Sequence, residues 1–477
     1  MNERKYDVVV IGGGPAGMTA AWELRDRSVL LLEHSHRLGG RLYSLTRGDY
    51  WMNLGGHLFP APGSHMRNLM ASIGLDVIRI PGNKFAIWFA GKVYSPKSVS
   101  ALPLTLPLTL RERFSLARIG LAILKAVRGW QKAMQPVYGE STQSRRARVA
   151  CYLSDISFRD FIKHPPARID ALFRSAGRRA AAELEDQSAG VGVSLFGAVW
   201  AGKGDAMAAN MMGGSGRLGE VMTELLGHRV ELRAKALSVV QQGDAVRVTY
   251  ERDGRTQTIT ASQVIVAIPA FMAAEIVKDI PKPLEATLRN VQYGPFPTMG
   301  VITDETEPMP WDDIYAITTP DACFDMMFNH ANPLRTGGQR KPGGSLMVYA
   351  GGKPAAELMR LSEDEIRDRY LADMFKIYPQ LRSIIKETKV QKWSPGNTYR
   401  PAGFNFDAML EYCERADTNI HFAGDYFAEI GNMEIAAGSA HEAARRARVR
   451  LSAIDKSRQI PSDRAETSNV QNVASAK

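Results

Sequence analysis

The sequence predicts an α/β protein organised around a parallel sheet, on three observations. A β-branched apolar run, Val8 to Ile11, is followed at once by glycines at GxGxxG spacing. A second apolar run, Val29 to Leu32, ends in the acid Glu33. A third, Gln263 to Pro269, returns near the middle of the chain. Runs without polar alternation read as strands covered on both faces, as parallel sheets are.

The glycines after the first strand have separate steric tasks. Gly12 suits a tight turn, Gly14 lets backbone approach a diphosphate, and Gly17 lets helix pack on strand. Pro15 and Ala16 lead into a helix read from Met18 to Arg25, whose amino end offers bare N–H groups and a positive dipole to phosphate. Glu33 stands about 20 residues past the glycines, where a carboxylate bonds a ribose hydroxyl. Strand, glycines, helix and acid together read as a Rossmann-like dinucleotide site; a glycine turn in an ordinary βαβ unit is the bland alternative.

Composition sets outer limits. At 477 residues the chain has room for two or three domains, and 45% apolar content suits a large core. Cys151, Cys323 and Cys413 are far apart and form no CxxC or zinc pattern, so neither a disulfide framework nor a metal site is expected. MNERKYD leads into the first strand without an apolar h-region, and no stretch of 18 apolar residues follows. The expectation is a cytoplasmic protein without signal peptide or transmembrane helix. Formal charge is +10, and Ala101 to Ala180 holds 15 Lys and Arg against 5 Asp and Glu. That basic segment suits an anionic membrane surface, an acidic substrate or partner, or a solvated helical face. Nucleic acid is not expected, because no aromatics interleave with the basic residues.

Arg37 and Arg41 flank Gly39 and Gly40, a loop that lets guanidinium groups reach a diphosphate or ribose. Asn53 to His57 adds a second pair, Gly55 and Gly56, suited to backbone pressed on a flat ligand. GGGPAG, Glu33, RLGGR and NLGGH together resemble the start of the flavin amine oxidase superfamily. That group includes monoamine oxidases, L-amino-acid oxidases, protoporphyrinogen oxidases and carotenoid desaturases. The resemblance implies FAD. Two further blocks support it. Gly213 to Leu226 leads to a strand-like stretch, His228 to Val240, where backbone near Ala236 would meet the adenine. Ile420 to Ala447 would bring Gly424 and Asp425 to the ribityl-phosphate. There the helix near Met433, with Asn432 and Glu434 beside it, would aim its dipole at the flavin pyrimidine. Trp393 would pack at the flavin edge. The resemblance thus implies a discontinuous Rossmann-like FAD-binding domain, residues 1–80, 205–272 and 390–453. A mixed-sheet substrate domain, 81–204 and 273–389, would carry a helical basic insert, 101–184. Residues 454–477 read as a disordered tail.

The remaining elements follow in order. Phe85 to Tyr94 reads as a hairpin turning near Gly91. Prolines in Leu102 to Leu110 exclude a regular strand or helix. Arg111 to Trp130 reads as a basic amphipathic helix. Two readings of 102–130 stay open: peripheral contact with a membrane, or a cover over the substrate pocket. Gly139 to Arg148 reads as a mobile loop; another helical stretch begins with Ile156 to Ile162 and runs through Arg168 to Leu184. Met272 to Arg289 and Glu363 to Ile377 are helical, and Pro297 to Thr303, Ile314 to Thr319 and Ser345 to Ala350 are antiparallel strands. Val390 to Tyr399 turns back to the flavin.

The chemistry is read partly from gaps in the pattern. Where monoamine oxidases carry a lysine that holds water at flavin N5, the aligned position is Thr298. Pro395 stands where they carry a flavin-linking cysteine, so FAD is expected to be non-covalent. Gly396 and Asn432 replace their tyrosine cage. These departures favour the protoporphyrinogen oxidase and desaturase branch, with amine or L-amino-acid oxidation as the alternative and a non-redox mutase as a third reading. Hydride would pass to N5 from a C–N or C–C bond of a small apolar or anionic substrate, with O2 as the acceptor. His57 is a candidate base or clamp. Tyr399 and Arg400 are candidates for substrate contact, Arg400 through a carboxylate. Asn329, His330 and Asn332 form a polar cluster that suits either substrate or a turn.

Overall fold

The computed structural model describes residues 5–81, 85–140, 142–200, 209–335, 340–428 and 430–459. Two seven-stranded sheets carry the chain. In the first, Lys5–Ile11 lies parallel to Val29–Leu32 on one side and to Arg255–Val266 on the other. The strand Arg255–Val266 has two partners along its far edge. Its first part closes an antiparallel hairpin with Ala245–Arg252, and Val264 to Val266 take Ile420–Phe422 in parallel. Apolar cores cover both faces, which is why these strands lack polar alternation.

On one face the helix Pro15–Glu23 packs beside the final helix Met433–Gln459. Buried Ala437, Ala440, Ala443 and Ala447 let the two approach closely. The His441 ring and the Arg448 guanidinium then reach Glu23 and Asp26 at the end of the first helix. The start and end of the described chain are thus joined through small side chains.

The second sheet runs Ile385–Tyr399, Gln292–Thr303, Gly344–Tyr349, Met326–Asn329, Ala316–Thr318, Phe85–Phe89, Lys92–Tyr94. It is mixed: Ala316–Thr318 and Phe85–Phe89 are parallel, and the other pairs are antiparallel. The helix Glu363–Ile377 covers one face, opened by a capping box between Ser362 and Glu365. The fold is the expected α/β class: a parallel-centred sheet joined to a mixed sheet and a helical insert.

The insert is built on Leu110–Met134, opened by a capping box between Thr109 and Glu112. Leu116, Ile119, Ile123 and Val127 face Phe158, Phe173 and Phe196 in a separate core. Several expectations change here. Leu102–Thr105 forms one helical turn, because Pro103 falls in its first turn, where a missing N–H costs nothing. The stretch read as a loop from Gly139 is largely the helix Thr142–Ala150, tied down by Arg148 Nε on Glu140 at 2.9 Å. The helical stretch from Arg168 stops as Ala167–Gly177 and a short 3-10 turn, after which Ala181 takes a left-handed φ of 62°. An unforeseen helix, Ala189–Trp200, follows.

Elsewhere the expected helix from Met272 divides into Ala270–Ile276 and Lys282–Asn290, separated by a left-handed Asp279 and by Pro281. The stretch from His228 is a 3-10 turn and two strands, Val230–Glu231 and Ala234–Gln242. Met326–Asn329 is an added strand. The final helix runs to Gln459, into the segment expected to be tail; residues 460–477 lie outside the described residues.

Candidate active site

The glycine loop shows how each small residue is used. Gly12 has a φ of 103°, and a Cβ on it would meet Ala267 O at 2.5 Å. A Cβ on Gly17 would lie 1.7 Å from Gly12 O, so helix and strand touch through it. Gly14 differs: a Cβ there would meet nothing within 4 Å. The space such a side chain would enter, at the amino end of Pro15–Glu23, is open. A helix start leaves its first amides without internal partners, and here Pro15 fixes the entry while Ala16 and Gly17 supply N–H groups.

Glu33 is buried at the end of its strand and organises the next turn. Its Oε2 accepts Gly13 N–H at 2.6 Å and its Oε1 accepts Ser35 N–H at 2.8 Å. Those bonds, with the neighbouring His34, hold its carboxyl below the usual range despite burial, so it stays ionised. The two edges of the sheet meet at this residue. Glu33 N–H donates to Glu231 O at 2.9 Å, and its carbonyl accepts Ala234 N–H at 2.8 Å. Ala236 follows on that strand, beside a bulge. A carboxylate has lone pairs beyond those two bonds, so a ribose diol remains within its capacity.

The two arginines of the next loop divide their work. Arg37 directs its guanidinium at the carbonyls of Leu38, Gly40 and Leu42, and stacks on Tyr43. It staples Gly39 and Gly40 in their left-handed conformations, where the sequence had suggested a phosphate contact. Arg41 instead crosses the chain: it donates to Gly396 O at 2.7 Å and pairs with Asp425 at 2.8 Å. Gly424, next to Asp425, is held by Ser439 Oγ at 2.9 Å. Three distant segments therefore meet at Arg41.

A second meeting point lies at Leu54. Its carbonyl accepts the Thr298 hydroxyl at 2.8 Å and the Trp393 indole N–H. A Cβ on Gly55 would strike Arg41 O at 2.0 Å and approach Trp393, while one on Gly56 would approach Met433 at 3.5 Å. Backbone, Trp393 and the start of the final helix thus lie side by side around this glycine pair. Asn432 caps that helix, its Oδ1 accepting Ile435 N–H at 2.9 Å. Glu434 is engaged elsewhere: its two oxygens accept the amides of His65 and Met66 and cap the helix His65–Ser72.

His57 follows the glycine pair into a buried aromatic pocket. Its Nδ1 lies 3.2 Å from Gly55 O, so this nitrogen carries the proton. Its Nε2 is buried with no partner. The ring meets Phe328 and His330 edge-on at 4.6 and 4.8 Å. Burial pushes His57 down to about 4 and His330 well below its usual value, so both rings are neutral near pH 7. Both nitrogens of His330 and Asn210 Oδ1 are likewise buried and unpartnered. Asn210 Nδ2 bridges His57 O and the Tyr315 hydroxyl.

Other candidates take structural positions. Arg400 stacks its guanidinium on Phe406 and its carbonyl accepts Ser188 N–H, rather than lying open to a carboxylate. Tyr399 bridges Ile430 and packs near Ala180 and Val191. Of the polar trio, Asn329 and Asn332 bond backbone around Trp311 and Asp312, and build a turn. His330 alone faces His57. Sequence reasoning missed Asn210, Tyr315 and Phe328; the polar Asn210 in the apolar strand Ala209–Met211 was the one available signal. Among the described residues, no group of His, Cys, Asp and Glu could hold a metal ion.

The family model described as flavin containing amine oxidoreductase matches residues 15–448. An L-amino-acid oxidase of Demansia vestigiata is 24% identical, covering 88% of this chain and 82% of that protein. Oxidoreductase PigB of Serratia sp. (strain ATCC 39006) is 21% identical over 98% of this chain and 77% of its own length. A putrescine oxidase structure, solved bound to putrescine, superposes with a TM-score of 0.70 at 18% identity, covering 94% and 99% of the two chains. That last likeness is one of fold.

Proposed function

The chain belongs to the flavin-containing amine oxidoreductase family, and from that premise we propose that it binds FAD non-covalently and oxidises a C–N bond of a small amine or amino acid, with O2 as acceptor. Bound FAD supplies a two-electron acceptor for hydride at N5. Gly14 and the amides of Ala16 and Gly17 would hold its diphosphate, Glu33 its ribose, and Arg41 with Asp425 its ribityl-phosphate. Thr298 and Trp393 fix Leu54, and Gly55 and Gly56 after it would lie against the ring. Phe328, Tyr315, Tyr349 and Phe296 exclude water beside it.

The observation that carries this reading is the buried, unpartnered Nε2 of a neutral His57. That atom would accept the N–H of an uncharged amine and take its proton as the substrate's C=N bond forms. General-base assistance of this kind contributes about 10²-fold or more. The sequence favoured the protoporphyrinogen oxidase and desaturase branch through the departures at Thr298, Pro395, Gly396 and Asn432, and the Thr298 hydroxyl is bonded to Leu54 O. Relatives named for amino-acid and amine oxidation favour the alternative.

Anaerobic mixing with L-amino acids, primary amines and a porphyrinogen tests it. Loss of visible flavin absorption with an amine or amino acid is expected, about 100-fold slower in His57→Leu. Bleaching by the porphyrinogen alone restores the C–C reading, and bleaching by dithionite alone defeats both. Acid should release soluble yellow FAD; a yellow pellet refutes non-covalent binding. The partners on this reading are the small substrate, O2 and, through the insert, a membrane surface.

A further inference from the structure

The helix Leu110–Met134 has two apolar stripes, and its neighbours cover only one. Leu116, Ile119, Ile123 and Val127 lie in the insert core. On the opposite side Leu110, Phe114, Ala117, Leu121 and Leu124 recur at spacings of four and three, one continuous ridge of a helix. Leu110 is 85% exposed, Phe114 73% and Leu121 69%. Leu104, from the preceding turn, adds a side chain 80% exposed. Scattered apolar residues are ordinary on a surface, but a contiguous ridge of large ones marks a contact site.

Charge selects the occupant. Arg111, Lys125, Arg128 and Lys132 are exposed on or beside this ridge and have no carboxylate partner among the described residues. Arg113 and Arg118 serve differently, bonding carbonyls of Leu108, Pro103 and Ile162. The helix's one acid, Glu112, is buried in its capping box. A second copy docked ridge to ridge would therefore oppose basic side chains with basic side chains and no acid between them. A bilayer with anionic headgroups satisfies both features, taking the ridge below its headgroups and the basic side chains at them. Among the described residues no helix is long and apolar enough to cross a membrane, so the helix lies along the surface.

We propose that the outer face of Leu110–Met134 seats this protein on an anionic lipid surface. The proposal rests on the membrane partner named above and commits it to one face and one headgroup charge. Cosedimentation of the full, flavin-loaded chain with phosphatidylcholine vesicles, with and without phosphatidylserine, tests it. Binding is expected with phosphatidylserine only, falling as salt rises. Removing Lys125 and Arg128 together as alanines should weaken it roughly fivefold per side chain. Phe114→Ser with Leu121→Ser should abolish it, with flavin absorption unchanged because both side chains are exposed. Equal binding to neutral vesicles overturns the charge argument. Binding that survives both double variants places the contact elsewhere, which overturns this face while the membrane reading stands. No sedimentation with either vesicle overturns both. Concentration-dependent mass that Phe114→Ser removes shows a second copy on the ridge, and also overturns the proposal.

Discussion

Gly14 and Gly17 lie three positions apart, one before the helix Pro15–Glu23 and one inside it, yet alanine at each should fail in opposite ways. At Gly14 the backbone has φ −74° and ψ −177°, which any residue adopts, and an added Cβ meets no atom within 4 Å. Gly14→Ala should therefore leave the flavin-free protein as stable or raise its stability by about 0.4–1 kcal/mol, through a less flexible unfolded chain. The same methyl enters the space proposed for the diphosphate. Displacing it from two amides forfeits charge-assisted bonds worth about 1.5–3 kcal/mol each, a loss of roughly 100-fold or more in flavin affinity. At Gly17 the Cβ would lie 1.7 Å from Gly12 O, a backbone atom that cannot rotate away. The helix must then leave the strand, with overpacking in the core beneath it and a cost of about 3 kcal/mol or more. Urea unfolding of the flavin-free proteins and fluorescence titration with FAD separate the two. A Gly14→Ala protein with unchanged flavin affinity would refute the placement of the diphosphate. A Gly17→Ala protein of full stability would refute the close contact of helix and strand.

Three more outcomes follow from single residues. Glu434→Ala removes the acceptor for two amides of the helix His65–Ser72 and should lower stability by about 1 kcal/mol, while activity per bound flavin stays unchanged; a fall in flavin affinity beyond that would return Glu434 to the cofactor. Thr298→Val deletes the hydroxyl on Leu54 and should cost about 1–2 kcal/mol, read as a lower Tm together with a changed visible flavin spectrum; an unaltered spectrum would detach Thr298 from the ring. His57 is protonated near 6.5 when unfolded and only near 4 when folded, so the unfolded chain binds more protons in between. Its contribution is full above pH 6.5 and declines as pH falls toward 4, by roughly 3 kcal/mol across the window; buried His330 and His421 add to the same dependence, so His57→Gln should make the urea midpoint less steep over that range without removing its slope, and an equally steep dependence would refute a buried neutral ring.

What the sequence alone determined is the part governed by local sterics and short-range pattern. Apolar runs, glycine spacing and one acid specified the strand, turn and helix of the nucleotide loop, because each property acts within a few residues. Capped helices such as Glu363–Ile377 were legible for the same reason. Tertiary structure decided where polar groups point. Arg37, Arg400 and Glu434 carry charges suited to a ligand, yet carbonyls, an aromatic face and helix amides lie closer to them. His57 and His330, far apart in the chain, meet only because separate elements bring them together, and Asn210 and Tyr315 join them across the same pocket. A buried polar atom is recognised by the partner it lacks, and that is a property of packing which no stretch of sequence contains.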